Sequence, residues 1–288
     1  MKKKWIIAIS VIVSVILLIV ILSFTLFSLK SIEIDYRTNK LNITATDEEI
    51  IESADIDMGG SVFFRNKQYY IDNIERANPY VKVINIETVF PSSYIIHIAE
   101  RQEVFSIEHN GQYYIVDEDY KVLSITDEYL SDQTNAILLN GLNISGASYA
   151  VGEFLKVSNS LPIYSALYEN NRPLNEQQAM IENITFTSEY DENVGQEQSA
   201  IELKFFSGQT FRLINASFGL TYKVSLMLDV YSQIFEFVDD PSDDTNNKVD
   251  ENGNLLTEEN LKTATIEIRN YYDYRVHDES DCYFQIYV

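Results

Sequence analysis

An α+β fold behind a single N-terminal membrane helix is what this chain predicts, and three observations carry it. Residues 5–29 hold no charged side chain. The stretch to about residue 101 alternates strand and helix signals. Beyond it strand patterns dominate, with helices set among them. The chain has 288 residues, 45% of them apolar, with only 10 glycines and 5 prolines. Such a composition can bury a core, and at roughly 150 residues per domain the length suits two domains. The lone cysteine, Cys282, excludes an internal disulfide and a cysteine-rich metal site.

As a helix rising 1.5 Å per residue, residues 5–29 reach about 37 Å, enough to cross a hydrocarbon core of ~30 Å with some tilt. Trp5 stands at one end, where an indole favours the interface. The apolar run is longer than that of a cleaved signal peptide, and residues 23–27 offer no small-x-small cleavage site, so an uncleaved anchor is expected. Lys2, Lys3 and Lys4 favour the cytoplasmic side. The expectation is a cytoplasmic tail at residues 1–4, a transmembrane helix at 5–29, and everything further outside. The net charge is −23, but the first 30 residues carry four lysines and no acid, so residues 31–288 stand at −27. A body of that charge repels phosphate backbones and anionic headgroups, which argues against a nucleic-acid partner.

The first outer block is expected over residues 30–101. Residues 31–36 alternate apolar and polar, the pattern of a half-buried strand. Thr46 and Glu49 form a capping box ahead of Ile50 and Ile51, with Gly59-Gly60 expected to break that helix. A second helix over residues 66–77 places Tyr70, Ile74 and Ala77 on one side and stops at Asn78-Pro79. Residues 81–89 and 94–100 read as strands around a turn at Phe90-Pro91-Ser92-Ser93. The second block, residues 102–288, has strand patterns at 104–107, 112–116, 136–139, 180–187, 200–206, 210–214, 262–269 and 282–288. Helices are expected at 161–170 and 220–238, the latter with Leu220, Val224, Met227, Tyr231, Ile234 and Val238 on one stripe. An acidic loop spans residues 239–260.

The order β-α-α-β-β behind an anchor resembles a polypeptide-transport-associated (POTRA) domain. Asn78-Pro79-Tyr80-Val81 and the run from Phe90-Pro91 to Glu100-Arg101 resemble the ending of that module. Val116-Asp117, Tyr222-Lys223 and Ile266-Glu267-Ile268-Arg269 continue in the order seen in the bacterial division proteins of the FtsQ/DivIB family. The chain departs from the family pattern at Tyr120, where a glycine is usual and a differently built turn is therefore expected. The resemblance implies a non-catalytic scaffold at the division septum that positions FtsB/DivIC-like and FtsL-like bitopic partners, with the septal synthase complex as a further candidate. The other reading is a membrane-anchored POTRA-type binding module for secretion or adhesion.

No G-x-S-x-G, H-E-x-x-H or P-loop pattern occurs, and no cofactor site or catalytic residue is assigned. His97, between Ile96 and Ile98, is expected to face solvent from a strand. His109 flanks an Asn110-Gly111 hairpin turn. His277 has acids beside it and no second ligand. A calcium loop centred on Gly253 would use Asp250, Asn252 and Glu259, but it puts Lys248 where a carboxylate is required. A solvated acidic excursion is the simpler expectation. Lys223 and Glu100-Arg101 read as structural. The late β-segment is implied by the resemblance to offer an edge for strand addition, with Arg269 facing an acidic partner residue. Asn270, Tyr271, Tyr272 and Tyr274 extend that surface, since tyrosines make good interface anchors. The competing reading pairs Arg269 with Glu267 on its own strand.

Overall fold

The computed structural model describes residues 2–63, 65–129, 136–168, 174–191, 195–238, 248–270 and 282–288. The chain divides into two units, Met1–Gln102 with Ala150–Glu153, and Glu103–Tyr149 with Phe154–Val288. Helix α1 (Lys2–Thr25) opens the first unit. Its side chains are described at residue 5, at 7, from 9 to 22 and at 25, and those from Ile9 to Leu22 are exposed. Side chains of α1 are described without a break only from residue 9 to 22, and among the described residues no helix is long and apolar enough to cross a membrane.

After α1 come β1 (Ser31–Tyr36), α2 (Asp47–Ser53), α3 (Lys67–Ala77), β2 (Val81–Val89) and β3 (Ser93–Glu100). The three strands form a sheet in the order β1-β3-β2, with β1 parallel and β2 antiparallel to β3. Both helices start where the sequence says they should. The Thr46 hydroxyl accepts from the Glu49 N–H while the Glu49 carboxylate accepts from the Thr46 N–H, and Asn66 caps α3 through Tyr69 N–H. Ile50, Tyr70 and Ile74 then bury against Val81, Tyr94, Ile96 and Ile98 of the sheet. Gly59-Gly60 does not end α2, which stops at Ser53. Instead their backbones bond to Leu29: Leu29 N–H donates to the Gly60 carbonyl and Gly59 N–H to the Leu29 carbonyl, both at 2.9 Å.

The second unit is built on a nine-stranded sheet. Its strands are β4 (Phe105–His109), β5 (Gln112–Val116), β6 (Val122–Thr126), β7 (Ile137–Asn140), β10 (Ile181–Asp191), β11 (Gln196–Phe205), β12 (Thr210–Ile214), β13 (Thr265–Asn270) and β14 (Cys282–Tyr287). They lie in the order β14-β13-β12-β11-β10-β7-β4-β5-β6, so among the described residues β14 and β6 are the edges. A separate two-stranded ribbon pairs β8 (Ile144–Ser145) with β9 (Lys156–Val157). The helices are α4 (Ile163–Tyr168), α5 (Leu174–Met180), α6 (Leu220–Ser232) and α7 (Glu258–Leu261). β12 and β13 are parallel, a pairing that needs a crossover, and α6 lies in it. Val224, Met227 and Leu228 of α6 bury with Ile201, Leu203, Phe211, Leu213, Ile266 and Ile268 of the sheet. The long helix expected to residue 238 ends at Ser232, and a 3-10 turn (Ile234–Phe237) continues it. In the expected acidic loop, residues 239–247 lie outside the described residues. The rest carries a bridge between Val249 and Leu255 and then α7, which is capped by Thr257 and Asn260.

The turn at Tyr120 is not built differently from a glycine turn. Tyr120 itself takes a left-handed φ of 61°. A bulky residue there costs on the order of 1–2 kcal/mol. The Asp117 carboxylate offsets this by accepting from the N–H groups of Asp119 and Lys121, and the Tyr120 ring stacks on Phe105. A true glycine requirement falls at Gly141, where φ is 75° and a Cβ would lie 2.0 Å from the Phe186 carbonyl oxygen.

Candidate functional site

The chain Thr265-Ile-Glu-Ile-Arg-Asn of β13 alternates, and the sheet sorts it by face. Ile266 and Ile268 are fully buried toward α6, while Glu267 and Arg269 project from the other face. Register then lines up side chains that lie far apart in sequence. Glu202 of β11 stands opposite Arg212 of β12, and Arg212 stands opposite Glu267 of β13. Arg212 Nη1 donates to Glu267 Oε1 at 2.5 Å, and its Nη2 to Glu189 Oε2 at 2.6 Å. Arg269 Nη2 donates to the other oxygens of the same two carboxylates, to Glu267 Oε2 at 2.9 Å and Glu189 Oε1 at 3.0 Å. Each carboxylate is therefore shared by both guanidiniums, a closed square on the polar face of the sheet. Burial works against the charge of Arg269, but its hydrogen bonds and attraction to Glu267, and then to Glu189, more than reverse this and raise its pKa.

Of the residues expected to meet a partner, Arg269 thus stands in the competing geometry, paired with Glu267 along its own strand, and with Glu189 besides. It belongs to an inner strand, not to the edge. Asn270 closes β13; its amide nitrogen lies 3.5 Å from the Cys282 sulfur, and its Oδ1 is buried with no hydrogen-bond partner among the described residues. Tyr271, Tyr272 and Tyr274 lie outside the described residues, as does His277.

The edge itself is β14, paired antiparallel to β13 with Gln285 opposite Glu267 and Tyr283 opposite Arg269. In an antiparallel ladder, residues alternate between those that exchange both bonds with their partner and those whose N–H and C=O point away. The Ile286 carbonyl accepts from Glu251 N–H at 3.3 Å, and Val288 N–H donates to Asp250 Oδ2 at 3.2 Å, both outside the ladder. It follows that Cys282, Phe284 and Ile286 turn their backbone groups outward, while Tyr283, Gln285 and Tyr287 close the ladder. The loop at residues 250–251 covers the Ile286–Val288 end of this edge, and Phe284 lies on the part it leaves. On the core-side face Phe284 meets Phe237 edge-on at 5.4 Å.

Asp250 explains that cover. Burial works against its charge, yet hydrogen bonds from Asn254, Val288 N–H and Asn252 N–H hold the carboxyl down at about 2. Oδ1 closes the loop on itself by accepting from Asn252 and Asn254 N–H, Oδ2 ties it to Val288 just past β14, and Lys248 Nζ donates to the Glu236 carbonyl. Among the described residues no group of three or more His, Cys, Asp or Glu side chains is set to hold a metal ion.

Three residues read as structural have clear work. Buried Lys223 donates to the carbonyls of Asn215 and Phe218, pinning the turn into α6, and its burial pulls its pKa down to about 8. Glu100 accepts from the N–H groups of Leu41 and Asn42, holding the loop after β1. Arg101, 4% exposed, pairs with Glu75 of α3 at 2.7 Å. His97 departs from expectation: it points off the core face of β3 as its strand position requires, but it is only 5% exposed. Its Nδ1 lies 2.7 Å from Asp35 Oδ2 and its Nε2 3.0 Å from Glu87 Oε2, with Arg37 Nη2 at 2.8 Å from Nδ1. Hydrogen bonds to Glu87 first and Asp35 second raise its pKa. The sequence reading missed Arg212 and Glu189; the exposed half of the Thr210–Ile214 alternation was the available signal for the first.

Residues 27–101 match the family model for the POTRA domain, FtsQ-type. Among curated proteins the chain is similar to several named Cell division protein DivIB. It is 32% identical to that of Clostridium acetobutylicum over 34% of this chain and 38% of the relative. It is 31% identical to that of Clostridium tetani over 44% of each chain, and 27% identical to that of Clostridium botulinum strain Hall over 54% of this chain and 59% of the relative. The matches thus span about two fifths to three fifths of the relatives' length.

Proposed function

We propose that this chain, which belongs to the FtsQ/DivIB family, is a membrane-anchored, non-catalytic scaffold of the bacterial division machinery. Its outer β14 edge takes a strand from an FtsB/DivIC-like partner and, with an FtsL-like protein, positions the complex that regulates septal peptidoglycan synthesis. The observation that carries this reading is the edge: β14 ends a nine-stranded sheet, with the backbone of Phe284 turned outward. A strand added there gains main-chain hydrogen bonds, with Phe284 and Phe237 on one face and Tyr283 and Gln285 on the other for side-chain selection. Anchoring is supported by α1, whose 24 residues rise about 36 Å and whose apolar side chains from Ile9 to Leu22 are exposed. The lysines at 2–4 orient it with the N-terminus inside. Tyr271, Tyr272 and Tyr274, beside Arg269 and Asn270, are proposed to widen the contact.

The edge is tested by comparing Phe284→Pro with Phe284→Ala in pull-downs of the full chain by the DivIC-like partner. Both variants lose the ring, but only proline removes the outward N–H while sparing the ladder to β13. Phe284→Pro should bind roughly tenfold more weakly than Phe284→Ala, the worth of one lost bond and one stranded partner carbonyl. Equal binding by the two would refute edge addition. An N-terminally tagged chain that spread evenly around dividing cells, instead of gathering at midcell, would refute the division role.

A further inference from the structure

The exit from α1 is not a loose linker. Leu26 and Phe27 N–H both donate to the Leu22 carbonyl, continuing the helix, and the chain then enters the first unit's backbone network directly. Val62 N–H donates to the Phe27 carbonyl, Ser28 bridges Ser61, Leu29 bonds to both Gly59 and Gly60, and Lys30 N–H donates to the Ser92 carbonyl. β1 begins at the next residue, with the Ser31 and Ser93 hydroxyls 2.7 Å apart. No residue of slack separates the helix from the sheet.

At this junction three aromatic rings from three segments meet. Phe27 lies 5.0 Å from Phe63 and 6.3 Å from Phe90, and Phe63 lies 5.5 Å from Phe90, centroid to centroid. These are ordinary distances for favourable aromatic pairs. What is unusual is their exposure: Phe63 is 47% and Phe90 61% exposed, and Leu26 and Met58 are exposed large apolar side chains too. Phe90 stands at the tip of the β2–β3 hairpin, most of its surface open to solvent. A clustered apolar surface of this kind marks a contact site.

We propose that this aromatic cluster is a wedge that seats the first unit in the outer-leaflet interface of the membrane that α1 occupies. The proposal rests on the anchor reading above. From Trp5 to Thr25 the helix rises about 30 Å, the thickness of the hydrocarbon core, so Leu26 and Phe27 leave it at the interface. Because the junction is hydrogen-bonded throughout, Phe63 and Phe90 are held at that same level. The occupant follows from charge as well as position. Residues 31–288 carry −27, so anionic headgroups offer no electrostatic attraction and the contact must be made by apolar rings entering the headgroup–acyl boundary. The consequence is orientation: anchor and wedge are two attachments, and together they fix the tilt of the first unit on the membrane.

The wild-type chain has one tryptophan, Trp5, which reports on the anchor. In a Trp5→Phe background, Phe90→Trp and Phe63→Trp report on the wedge, and Ile84→Trp serves as a control. Ile84 is 53% exposed on β2 and, at about 3.4 Å per residue, some 20 Å along the strand from Phe90. Each full-length protein is placed in nanodiscs of phosphatidylcholine with a minority of phosphatidylglycerol, with and without bromine on the upper acyl carbons. The expected result is blue-shifted emission from Phe90→Trp and Phe63→Trp, reduced roughly by half in brominated discs, since a wedge enters the boundary by 5–10 Å. Ile84→Trp should be unchanged. Quenching of Trp5 together with unquenched emission from both wedge variants overturns the wedge and leaves the anchor standing. Unquenched Trp5 overturns both. Emission unquenched in lipid-only discs but shielded in native membranes assigns the cluster to a protein partner, which also overturns the wedge.

Discussion

Replacing Arg269 tests whether the polar face of the sheet holds itself together or waits for a partner. Arg269 is partly buried, its side chain 18% exposed, and it shares Glu189 and Glu267 with Arg212. Breaking a buried ion pair costs about 3–5 kcal/mol when the remaining charge is stranded. In Arg269→Ala neither carboxylate is stranded, because Arg212 still reaches Glu189 at 2.6 Å and Glu267 at 2.5 Å. What is lost is a pair of charge-assisted bonds at a partly solvated site, so the expected cost is about 2 kcal/mol. Arg212→Ala should cost a similar amount. The double variant strands Glu267, whose side chain is only 9% exposed, together with Glu189, with Glu202 nearby. It should cost about 5–6 kcal/mol, exceeding the sum of the single losses by roughly 1–2 kcal/mol. Urea unfolding of the full chain in detergent micelles, followed by circular dichroism, measures all three. A loss below about 0.5 kcal/mol in Arg269→Ala, or strict additivity, would refute the closed square. Arg269→Glu is a poor probe of binding for the same reason. It adds a carboxylate to the three already around Arg212, those of Glu189, Glu267 and Glu202, and each like-charge contact at about 4 Å costs ~4 kcal/mol at an effective dielectric near 20. Lost pull-down would then report a damaged sheet.

In the first unit, Arg101→Ala should destabilise by about 3–5 kcal/mol, because it leaves Glu75, 15% exposed, without its guanidinium; a melting curve close to wild type would sink that assignment. For His97 the folded pKa is raised above 6.5 by Glu87 and Asp35, with Arg37 opposing, so its contribution is fully present below 6.5 and is lost as pH rises through the raised value. His97→Gln should flatten the alkaline decline of first-unit stability, and NMR titration of the imidazole in the folded chain should give a midpoint above 6.5; a midpoint at or below it would refute the sandwich.

Local pattern made most of the first unit legible. The capping box at Thr46, the stop at Asn78-Pro79, the alternation in β1 and the strand signals of β2 and β3 each act within a few residues, and each stands where expected. Where expectation failed, the cause was a neighbour distant in sequence. His97 points off the core as its position demands, yet it is buried by Asp35, 62 residues earlier, and Glu87, ten residues earlier. Gly59-Gly60 looks like a helix stop and serves instead as the docking strip for Leu29. The short strand β6 was invisible because Val122–Thr126 is too brief to stand out from the turn before it.

The sequence by itself determined the kinds of element, their order, and the likeness that leads to the FtsQ/DivIB family, because periodicity, caps and turn residues act locally. The tertiary structure alone decided which side chains meet and which edge is open. Arg269 finds Glu189 across 80 residues because β10 to β13 lie side by side in one register. On the β14 edge the backbone of Phe284 faces out, because the ladder to β13 takes every second residue and Asp250–Glu251 take the last outward groups. Such pairings follow from sheet order, which is set by burying Ile266, Ile268 and Ile286 in one shared core with α6, a condition no local window contains.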